Sequence, residues 1–567
     1  MRKFATVLIP FFFSTQLYAA PPAPELDLVR QLTQAGASQL ALKRVENAQP
    51  AQQDAGQWLD WERMRLTLLA KLNQPVELLA RVANLPKVLP PDFERQAYEL
   101  AAKAAVQSGQ GETARTYLAR LFWRFELSAQ DQAALRQLVV ESYLTQGKAT
   151  DAYPLMLRYQ QDFPQIDKHF LTHFVEALLN AGMEQEAATW LGRLDDTSPL
   201  KLMVQLRAGL TSPEAAAQQA RTALAKKGDG EHWGTVLQAA SLLKDGKLDV
   251  EAREQLLNQP KVAPQGHFGV TAENLWQSYL AHAEALGNQA HLLVGEDAAW
   301  TNLAAQLAQT APVDARALWA YLVLRATDAD QRKAVMVRLV NTLAGQKLGL
   351  TAVRLFQDTA HAGQLSALPA EVRYPLGQAA FDLSEFKVAA LLWKDLAIAP
   401  PPPLSWQQWQ LKRAEAFIKG ETYAEAVEVL RSVVAAPEAL PQAVANRVQQ
   451  LALELNEAGQ EQAADQILQG LLPLTASVQQ KDILFWLGKI AENRHEYRMA
   501  GEYYLRAAIF NSSATPDPLA LMARLGAATN LARAGLKHDA RMQYQIVLRA
   551  TKDAGQQEAI RRALSKL

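Results

Sequence analysis

Apolar residues recur along most of this chain at the spacing of amphipathic helices, and these helical segments come in pairs. The clearest pair lies at 484–507, where the pattern predicts helices over 483–493 and 497–510, joined by a polar turn. Within it, Gly488 is followed twelve residues later by Ala500 and four residues after that by Tyr504. Residues three, four and seven apart share one face of a helix. The pattern therefore predicts that a glycine on the first helix faces an alanine on the second.

The same spacing recurs in ten further copies, so the chain is predicted to be an array of helix pairs. In each copy a small or apolar residue precedes an alanine by twelve residues, or by fourteen in the last copy. The other copies are Val29/Ala41, Ala102/Ala114, Val140/Ala152, Val175/Ala187, Ala240/Ala252, Val340/Ala352, Gly377/Ala389, Ala414/Ala426, Ala452/Ala464 and Gly526/Ala540. From Ala352 to Ala540 successive alanines lie 37, 37, 38, 36 and 40 residues apart. That period is typical of helix–turn–helix repeats, which bury their apolar faces only by stacking.

The composition supports an all-α fold and narrows the classes of partner. Of 567 residues, 49% are hydrophobic and 20% charged, as in globular proteins, and alternation of the β-strand type is rare. Lys+Arg and Asp+Glu are equal at 58 each and form no basic stripe, so we expect no nucleic-acid partner. The chain has no cysteine, which excludes disulfides, thiolate nucleophiles and cysteine-ligated zinc.

Residues 1–19 have the features of a bacterial secretory signal peptide. Arg2 and Lys3 precede an apolar stretch at 4–13, and 17–19 fits a cleavage motif. About ten apolar residues are too few to span a bilayer as a helix. We therefore predict cleavage after Ala19 and a mature periplasmic protein that does not span the membrane.

The repeats resemble the tetratricopeptide repeat, whose signature is W-x2-L-G-x2-Y … A-x3-F-x2-A … P. The two best copies match it at Leu484, Leu487, Gly488, Ala491, Ala500, Tyr504 and Ala507, and at Leu376, Gly377, Ala380, Ala389, Trp393, Leu396 and Pro401. The signature tryptophan is missing from every copy, and its glycine is often Ala or Val, so the repeats are degenerate. The resemblance implies an all-α, right-handed α-superhelix, that is, a solenoid of helix–turn–helix repeats.

The regularity of the repeats also suggests a division of the chain. We predict a signal peptide at 1–19, an N-terminal solenoid at 20–258, an irregular helical connector at 259–335 and a C-terminal solenoid at 336–567. Residues 53–85 fit the repeat poorly, since Pro75 and Pro86 interrupt their helices. The four prolines at 400–403 are predicted to form a stiff loop between two good repeats.

The resemblance also implies where a partner would bind, because tetratricopeptide solenoids bind ligands in a groove lined by the first helix of each pair. Transferring the family's groove positions to the best copies gives a set rich in amides and aromatic residues, suited to a peptide backbone or a polysaccharide. The candidate binding residues are Tyr374, Gln378, Phe381, Asp382, Glu415, Asn446, Gln449, Asn456, Phe485, Lys489 and Asn493.

No pattern of catalytic or metal-binding residues emerges, and we expect no cofactor, no metal and no enzyme activity. His169 and His173 lie four apart beside Asp167, but a zinc site needs further ligands, so we interpret them as helix-surface residues. Glu141-Ser142 matches the catalytic pair of periplasmic lytic transglycosylases, whose superhelical domain this chain resembles. The Gly-Leu-Met-Gln segment of that family does not follow, and Glu141 falls inside a repeat helix.

These observations favour a non-enzymatic periplasmic scaffold or adaptor that binds a peptide, partner protein or polysaccharide in its groove. Its predicted setting is the assembly of cell-envelope, exopolysaccharide or secretion machinery. The alternative is an accessory of a peptidoglycan enzyme, or the superhelical part of a lytic-transglycosylase-like protein without its catalytic domain.

Overall fold

A computed structural model describes residues 24–52, 55–226, 228–259, 269–357, 364–396, 398, 403–435, 439–510 and 518–567. Among these residues the regular elements are helices, without a β-strand, which confirms the predicted all-α class. The chain divides into two compact units, Met1–Ser212 and Pro213–Leu567. The predicted signal peptide at 1–19 and the prolines at 400–402 lie outside the described residues.

The first unit contains eleven described α-helices, which follow one another as five pairs and the single helix α11. They are α1 (Pro24–Gln34), α2 (Ser38–Ala48), α3 (Ala55–Lys71), α4 (Pro75–Ala83), α5 (Pro91–Gln107), α6 (Gly111–Arg124), α7 (Ala129–Leu144), α8 (Ala149–Asp162), α9 (Lys168–Asn180), α10 (Glu184–Ala188) and α11 (Pro199–Arg207). Consecutive helices pack against each other, and α5 also contacts α3 and α7, the first helices of the neighbouring pairs. This pattern of contacts is that of stacked repeats.

The second unit contains nineteen described α-helices. The earlier ones are α12 (Pro213–Ala225), α13 (His232–Leu243), α14 (Gly246–Leu257), α15 (Ala272–Gln289), α16 (Asp297–Leu307), α17 (Pro312–Arg325), α18 (Ala329–Gly345) and α19 (Gly349–Gln357). They are followed by α20 (Ala370–Asp382), α21 (Phe386–Trp393), α22 (Trp406–Lys419), α23 (Tyr423–Val434), α24 (Gln442–Glu457), α25 (Glu461–Leu471), α26 (Ser477–Asn493), α27 (Tyr497–Ile509), α28 (Pro518–Arg533), α29 (Lys537–Ala550) and α30 (Ala554–Ser565).

All eleven predicted small-residue pairs fall on consecutive helices, so the repeat pattern read from the sequence is confirmed. In ten of these pairs both members are buried; in the last pair Gly526 is half-buried and Ala540 is buried. The large residue four positions after the alanine explains why a small residue stands on the first helix, because the large side chain packs against it. The ring of Tyr504 lies so close to Gly488 that an added Cβ there would meet it at 2.8 Å, and Gly526 lies against its other face. Trp393 covers Gly377 in the same way.

The start of one helix and the regularity of one stretch differ from the prediction. Helix α26 begins at Ser477, six residues before the predicted start at 483. The prediction missed this part because 477–482 contain one apolar residue, Val478, and so show no apolar periodicity. In the predicted irregular stretch at 53–85, α3 and α4 form a packed pair, and Pro75 stands in the first turn of α4. A proline is tolerated there because the first helical N–H groups have no partner within the helix.

Most of the predicted connector at 259–335 is helical and lies within the second unit as α15, α16, α17 and the start of α18. Helix α17 is buried on all sides from Val313 to Val323 and packs against α14, α15, α16 and α18. A helix surrounded in this way shows no single apolar stripe, and this is why the repeat pattern fades in the sequence. The predicted boundaries at 258 and 335 remain predictions.

None of the helices in the described parts of the chain combines the length and the apolar character that crossing a bilayer requires.

Candidate functional site

The eleven candidate groove residues all lie on first helices of the second unit, namely α20, α22, α24 and α26. Asp382, Asn446, Lys489 and Asn493 are exposed, and Gln449 is buried. The other six, Tyr374, Gln378, Phe381, Glu415, Asn456 and Phe485, are half-buried. We refer to the surface that these four helices present as the first-helix face.

The three aromatic candidates pack against aromatic rings of the core, so their rings are not fully available for stacking against a partner. Phe381 stacks on Trp393 with ring centroids 5.5 Å apart, and Tyr374 meets Trp409 edge-on at 5.4 Å. Phe485 meets Tyr504 at 5.4 Å with its ring tilted by 65°. Each aromatic residue therefore joins the first-helix face to the core beneath it, and replacing one would disturb packing as well as any bound partner.

Polar side chains of α24 and α26 form a hydrogen-bonded group, here called the amide cluster: Gln442, Asn446, Gln449, Gln479 and Asp482. Gln449 Nε2 donates to Asp482 Oδ2 at 2.8 Å, and Gln479 Nε2 donates to Gln449 Oε1 at 3.0 Å. Gln442 Nε2 donates to Gln479 Oε1 and to Asn446 Oδ1, both at 2.8 Å. Three of these bonds join α24 to α26 in the next repeat, and the bond from Gln442 to Asn446 lies within α24. Together they fix the orientation of the amides.

The amide cluster retains hydrogen-bonding capacity beyond its internal bonds. A side-chain amide has two N–H donors. Asn446 is exposed, and among the described residues its Nδ2 has no acceptor, so the spare donors lie mainly on Asn446. Gln449 and Gln479 are buried, and each uses one donor internally. Oriented amides with spare donors suit the carbonyl groups of an extended peptide, because little side-chain entropy remains to be lost on binding.

Charged residues of the first-helix face are largely paired between neighbouring repeats. Glu415 on α22 accepts from Lys419 at 2.6 Å and from Arg447 on α24 at 2.7 Å. Burial opposes ionisation of Glu415, but these two cations hold the pKa of its carboxyl below its ordinary value. Glu492 on α26 likewise pairs with Arg533 on α28 at 2.9 Å. The pairs leave this face without a dominant charge of either sign.

A second polar group links α20 to α22. Lys412 Nζ donates to Gln378 Oε1 at 2.6 Å, and Gln378 donates to Asp382 at 2.6 Å. The same ammonium lies 4.9 Å from the centre of the Phe381 ring, a cation–π contact. Burial lowers the pKa of Lys412, and the charges of Asp382 and Glu415 oppose that shift.

Lys489 and Asn493 are exposed candidates whose side chains are not held by neighbouring residues that the structure describes. Both are exposed on the last two turns of α26, and neither has a hydrogen bond or ion pair to another described residue. Asn456 differs, because its Oδ1 is buried and has no hydrogen-bond partner within the described part of the chain.

Several residues that build this site were absent from the sequence-based set. Gln442, Arg447, Gln479 and Lys412 hold the candidates in place but lie outside the family's groove positions. Gln479 belongs to the turn by which α26 exceeds its predicted length. The sequence did contain a signal for this extra turn, because 477–482 have helix-forming residues and no proline or glycine.

The residues considered for catalysis or metal binding lie in the first unit. His169 and His173 are exposed on α9, and the described residues contain no group of three His, Cys, Asp or Glu side chains placed to hold a metal ion. Glu141 lies on α7 and accepts a hydrogen bond from Gln137 at 2.8 Å.

No protein-family model matches the sequence, and no curated protein matches it either. Among solved structures, the chain is similar to the APC/C hetero-tetramer Cut9-Hcn1, with 13% identity over 96% of each chain and a TM-score of 0.29. It is similar to Naa15/Naa10 bound to HypK-THB, with 12% identity over 96% of this chain and 78% of that chain, at a TM-score of 0.29. The pentatricopeptide repeat protein PPR10 in complex with an 18-nt RNA element gives 12% identity over 93% and 84%, at a TM-score of 0.34.

Identities and TM-scores this low do not transfer an arrangement or a function to this chain. The assignment as a helical-repeat protein rests on its own helix pairs, their contacts and the buried small residues between them.

Proposed function

We propose that this protein is a non-enzymatic scaffold of the bacterial periplasm, which binds an extended segment of a partner protein on its first-helix face. The amide cluster carries the proposal. It lies on two adjacent first helices, its side chains are held by hydrogen bonds within α24 and across the repeat boundary, and spare N–H donors remain on the exposed Asn446.

Electrostatics favours a largely uncharged partner segment. Most acids and bases of this face are paired with one another, so a strongly charged chain would gain little and would lose its hydration. A peptide backbone needs no net charge and presents regularly spaced carbonyl groups, and a polysaccharide shares both properties. The setting that fits an exported chain is the assembly of envelope, exopolysaccharide or secretion machinery.

Site-specific photo-crosslinking in living cells tests the proposal. A photo-reactive phenylalanine at Asn446 or Asn493 should give a discrete protein adduct, since both side chains are exposed on the first-helix face. Gln462 is the matched control, because it is exposed on the second helix α25 of the same repeat. Equal adducts at Gln462, or none at Asn446 and Asn493, would reject binding on this face.

Two further measurements address the other parts of the proposal. The protein recovered by osmotic shock should have the mass of a chain that begins at Ala20. Retention of residues 1–19 would contradict export with cleavage. Incubation of the purified protein with peptidoglycan should release no muropeptides. Release by the protein alone would support the alternative of a peptidoglycan-active protein.

A further inference from the structure

A cleft of about 300 Å³ lies in the first unit between α6, α7 and α8. It is lined by Phe122, Arg136, Val139, Leu155, Arg158 and Tyr159, and is called here the arginine cleft. It opens where the apolar core of the unit is divided. Phe122 and Val139 pack against one cluster of buried residues, whereas Leu155 and Tyr159 belong to the next. The walls are therefore apolar, and the core does not close over them.

Two observations account for the gap between these clusters. Helix α8 contains Pro154, one residue before Leu155, and a proline inside a helix removes a backbone hydrogen bond and disfavours a straight helix. Arg136 stands at the boundary, where its guanidinium pairs with Asp162 and lies 5.7 Å from the centre of the Phe163 ring. A charged side chain held there keeps the boundary hydrated.

Arg158 supplies a charge that is not neutralised. Its side chain is exposed, and it forms no hydrogen bond or ion pair with any residue that the structure describes. Asp162 balances Arg136, so the lining keeps one positive charge beside an apolar wall. A guanidinium presents a fork of donors that matches a carboxylate in geometry as well as in charge.

Tyr159 adds a neutral donor to the lining. Burial raises the pKa of its phenol, and the charges of Asp167 and Glu141 raise it further, so the group stays protonated at neutral pH. Its ring is fixed by edge contact with Phe170, at a centroid distance of 5.7 Å.

We propose that the arginine cleft binds a small apolar carboxylate, with the carboxylate on Arg158 and an aryl or alkyl group against Phe122, Val139 and Leu155. One water molecule occupies roughly 30 Å³ in the liquid, so the cleft has room for about ten water molecules, or on the order of ten non-hydrogen atoms of a ligand. A primary amine would be repelled by Arg158, and an alcohol would leave the guanidinium without a counter-charge. This site is separate from the first-helix face, and its failure would leave the proposed scaffold role untouched.

The cleft of corresponding position in the second unit shows that this charge is not a general property of the repeats. Between α22, α23 and the segment that follows α21 lies a cavity of about 410 Å³, whose lining includes Asp395, Glu425 and Glu428 beside Arg413. Its excess of carboxylates disfavours an anion, so the acid is not expected to bind in this second cavity.

Ligand-observed ¹⁹F NMR on the full chain tests the proposal. The probes are 3-(4-fluorophenyl)propionate and the alcohol and the amine that carry the same 3-(4-fluorophenyl)propyl group. A ligand of this size in an open cleft is expected to bind with a Kd on the order of millimolar. The acid should bind about two- to fivefold more tightly than the alcohol, since only the carboxylate can form an ion pair with the exposed Arg158 guanidinium. Equal binding of acid and alcohol, or no broadening of the acid signal, would overturn the proposal.

Variants locate the site. Arg158→Gln should remove the preference for the acid, whereas Arg158→Lys should keep part of it. Arg44→Gln is the matched control, because Arg44 is exposed on α2, outside the cleft. An equal effect of Arg158→Gln and Arg44→Gln would reject the site. Leu155→Trp should fill the cleft and abolish binding, with helix content checked by circular dichroism.

A final arm separates a free small molecule from the end of a partner chain. Ac-Ala-Ala-Phe is compared as the free acid and as the amide. Binding of this peptide acid at least about tenfold more tightly than the fluorinated acid would reassign the cleft to a protein terminus and overturn the small-molecule assignment.

Discussion

The helices α14–α17 and the repeats from α20 to α29 belong to the same compact unit, yet different contacts stabilise them. In the repeats, a large side chain covers a small one on the paired helix, as Tyr504 covers Gly488. Between α14 and α17, a bidentate ion pair is buried instead: Arg316 donates to both carboxylate oxygens of Glu254 at 2.7 and 2.5 Å. Contacts of the first kind repeat with the sequence period, whereas the Glu254–Arg316 pair follows no period.

The buried pair is extended by a third side chain. Tyr279 donates to Glu254 Oε1 at 2.6 Å, and burial raises the pKa of this phenol well above its ordinary value, so it remains a donor. The side chains of Arg316 and Glu254 are only 4% and 1% exposed. Paired buried charges are weak evidence for net stability, but breaking such a pair is costly because it leaves a charge without a partner. The contrast with the repeats can therefore be tested by single substitutions.

The largest effect is expected from Arg316→Met. The variant leaves the Glu254 carboxylate buried beside a neutral side chain and should lower the free energy of unfolding by about 3–5 kcal/mol. Chemical denaturation followed by circular dichroism measures this change. The double variant Arg316→Met/Glu254→Leu should recover much of the loss, because no charge stays buried. A loss below about 1 kcal/mol for the single variant would contradict the importance given to the pair.

A smaller effect is expected from Gly488→Ala in the repeats. The new Cβ would meet the Tyr504 ring at 2.8 Å, and overpacking of this kind costs about 1–3 kcal/mol. Gly345→Ala is the matched control, since no atom lies within 4 Å of its added Cβ and Gly345 is helical. The control should be neutral or slightly stabilising, because alanine favours a helix over glycine. Equal losses in both variants would show that Tyr504 does not restrict position 488.

Gln449→Ala should have a modest effect on stability. It removes the bonds to Asp482 and Gln479 from a buried position, at a cost of about 1 kcal/mol of unfolding free energy. Any partner that crosslinks at Asn446 should bind this variant more weakly. Thermal unfolding and crosslink yield are measured on the same preparation, and Gln450→Ala, an exposed neighbour on α24, is the control. An unchanged crosslink yield would separate Gln449 from the binding surface.

Lys387→Met should leave stability unchanged. Lys387 bridges two repeats by pairing with Glu421 at 2.7 Å, but both side chains are well exposed, and solvent and salt screen such pairs. The contrary result would be a clear drop in the thermal stability of the variant at low salt and no difference from the unmodified protein at high salt. It would show that surface pairs contribute to holding the repeats together.

The repeats were predictable because each depends on near neighbours in the sequence. Gly488, Ala500 and Tyr504 lie within 16 residues, and the structure brings them together through one turn between two helices. The Glu254–Arg316 pair joins residues 62 apart and follows no period, so no local pattern indicates it. The candidate site was predictable in part. The first-helix positions of Asn446 and Gln449 follow from the repeat frame, but their bonding to Gln479 depends on how two repeats are stacked.

The sequence by itself determined the all-α class, the helix pairs and the small residues on which they cross, because helical periodicity and side-chain size are local properties. Only the tertiary structure decided that Phe485 and Phe381 pack against core rings, and that most charges of the first-helix face are paired. It also decided that Arg158 stays unpaired beside an apolar cleft. These features depend on distances between residues of neighbouring repeats, and those distances are set by packing.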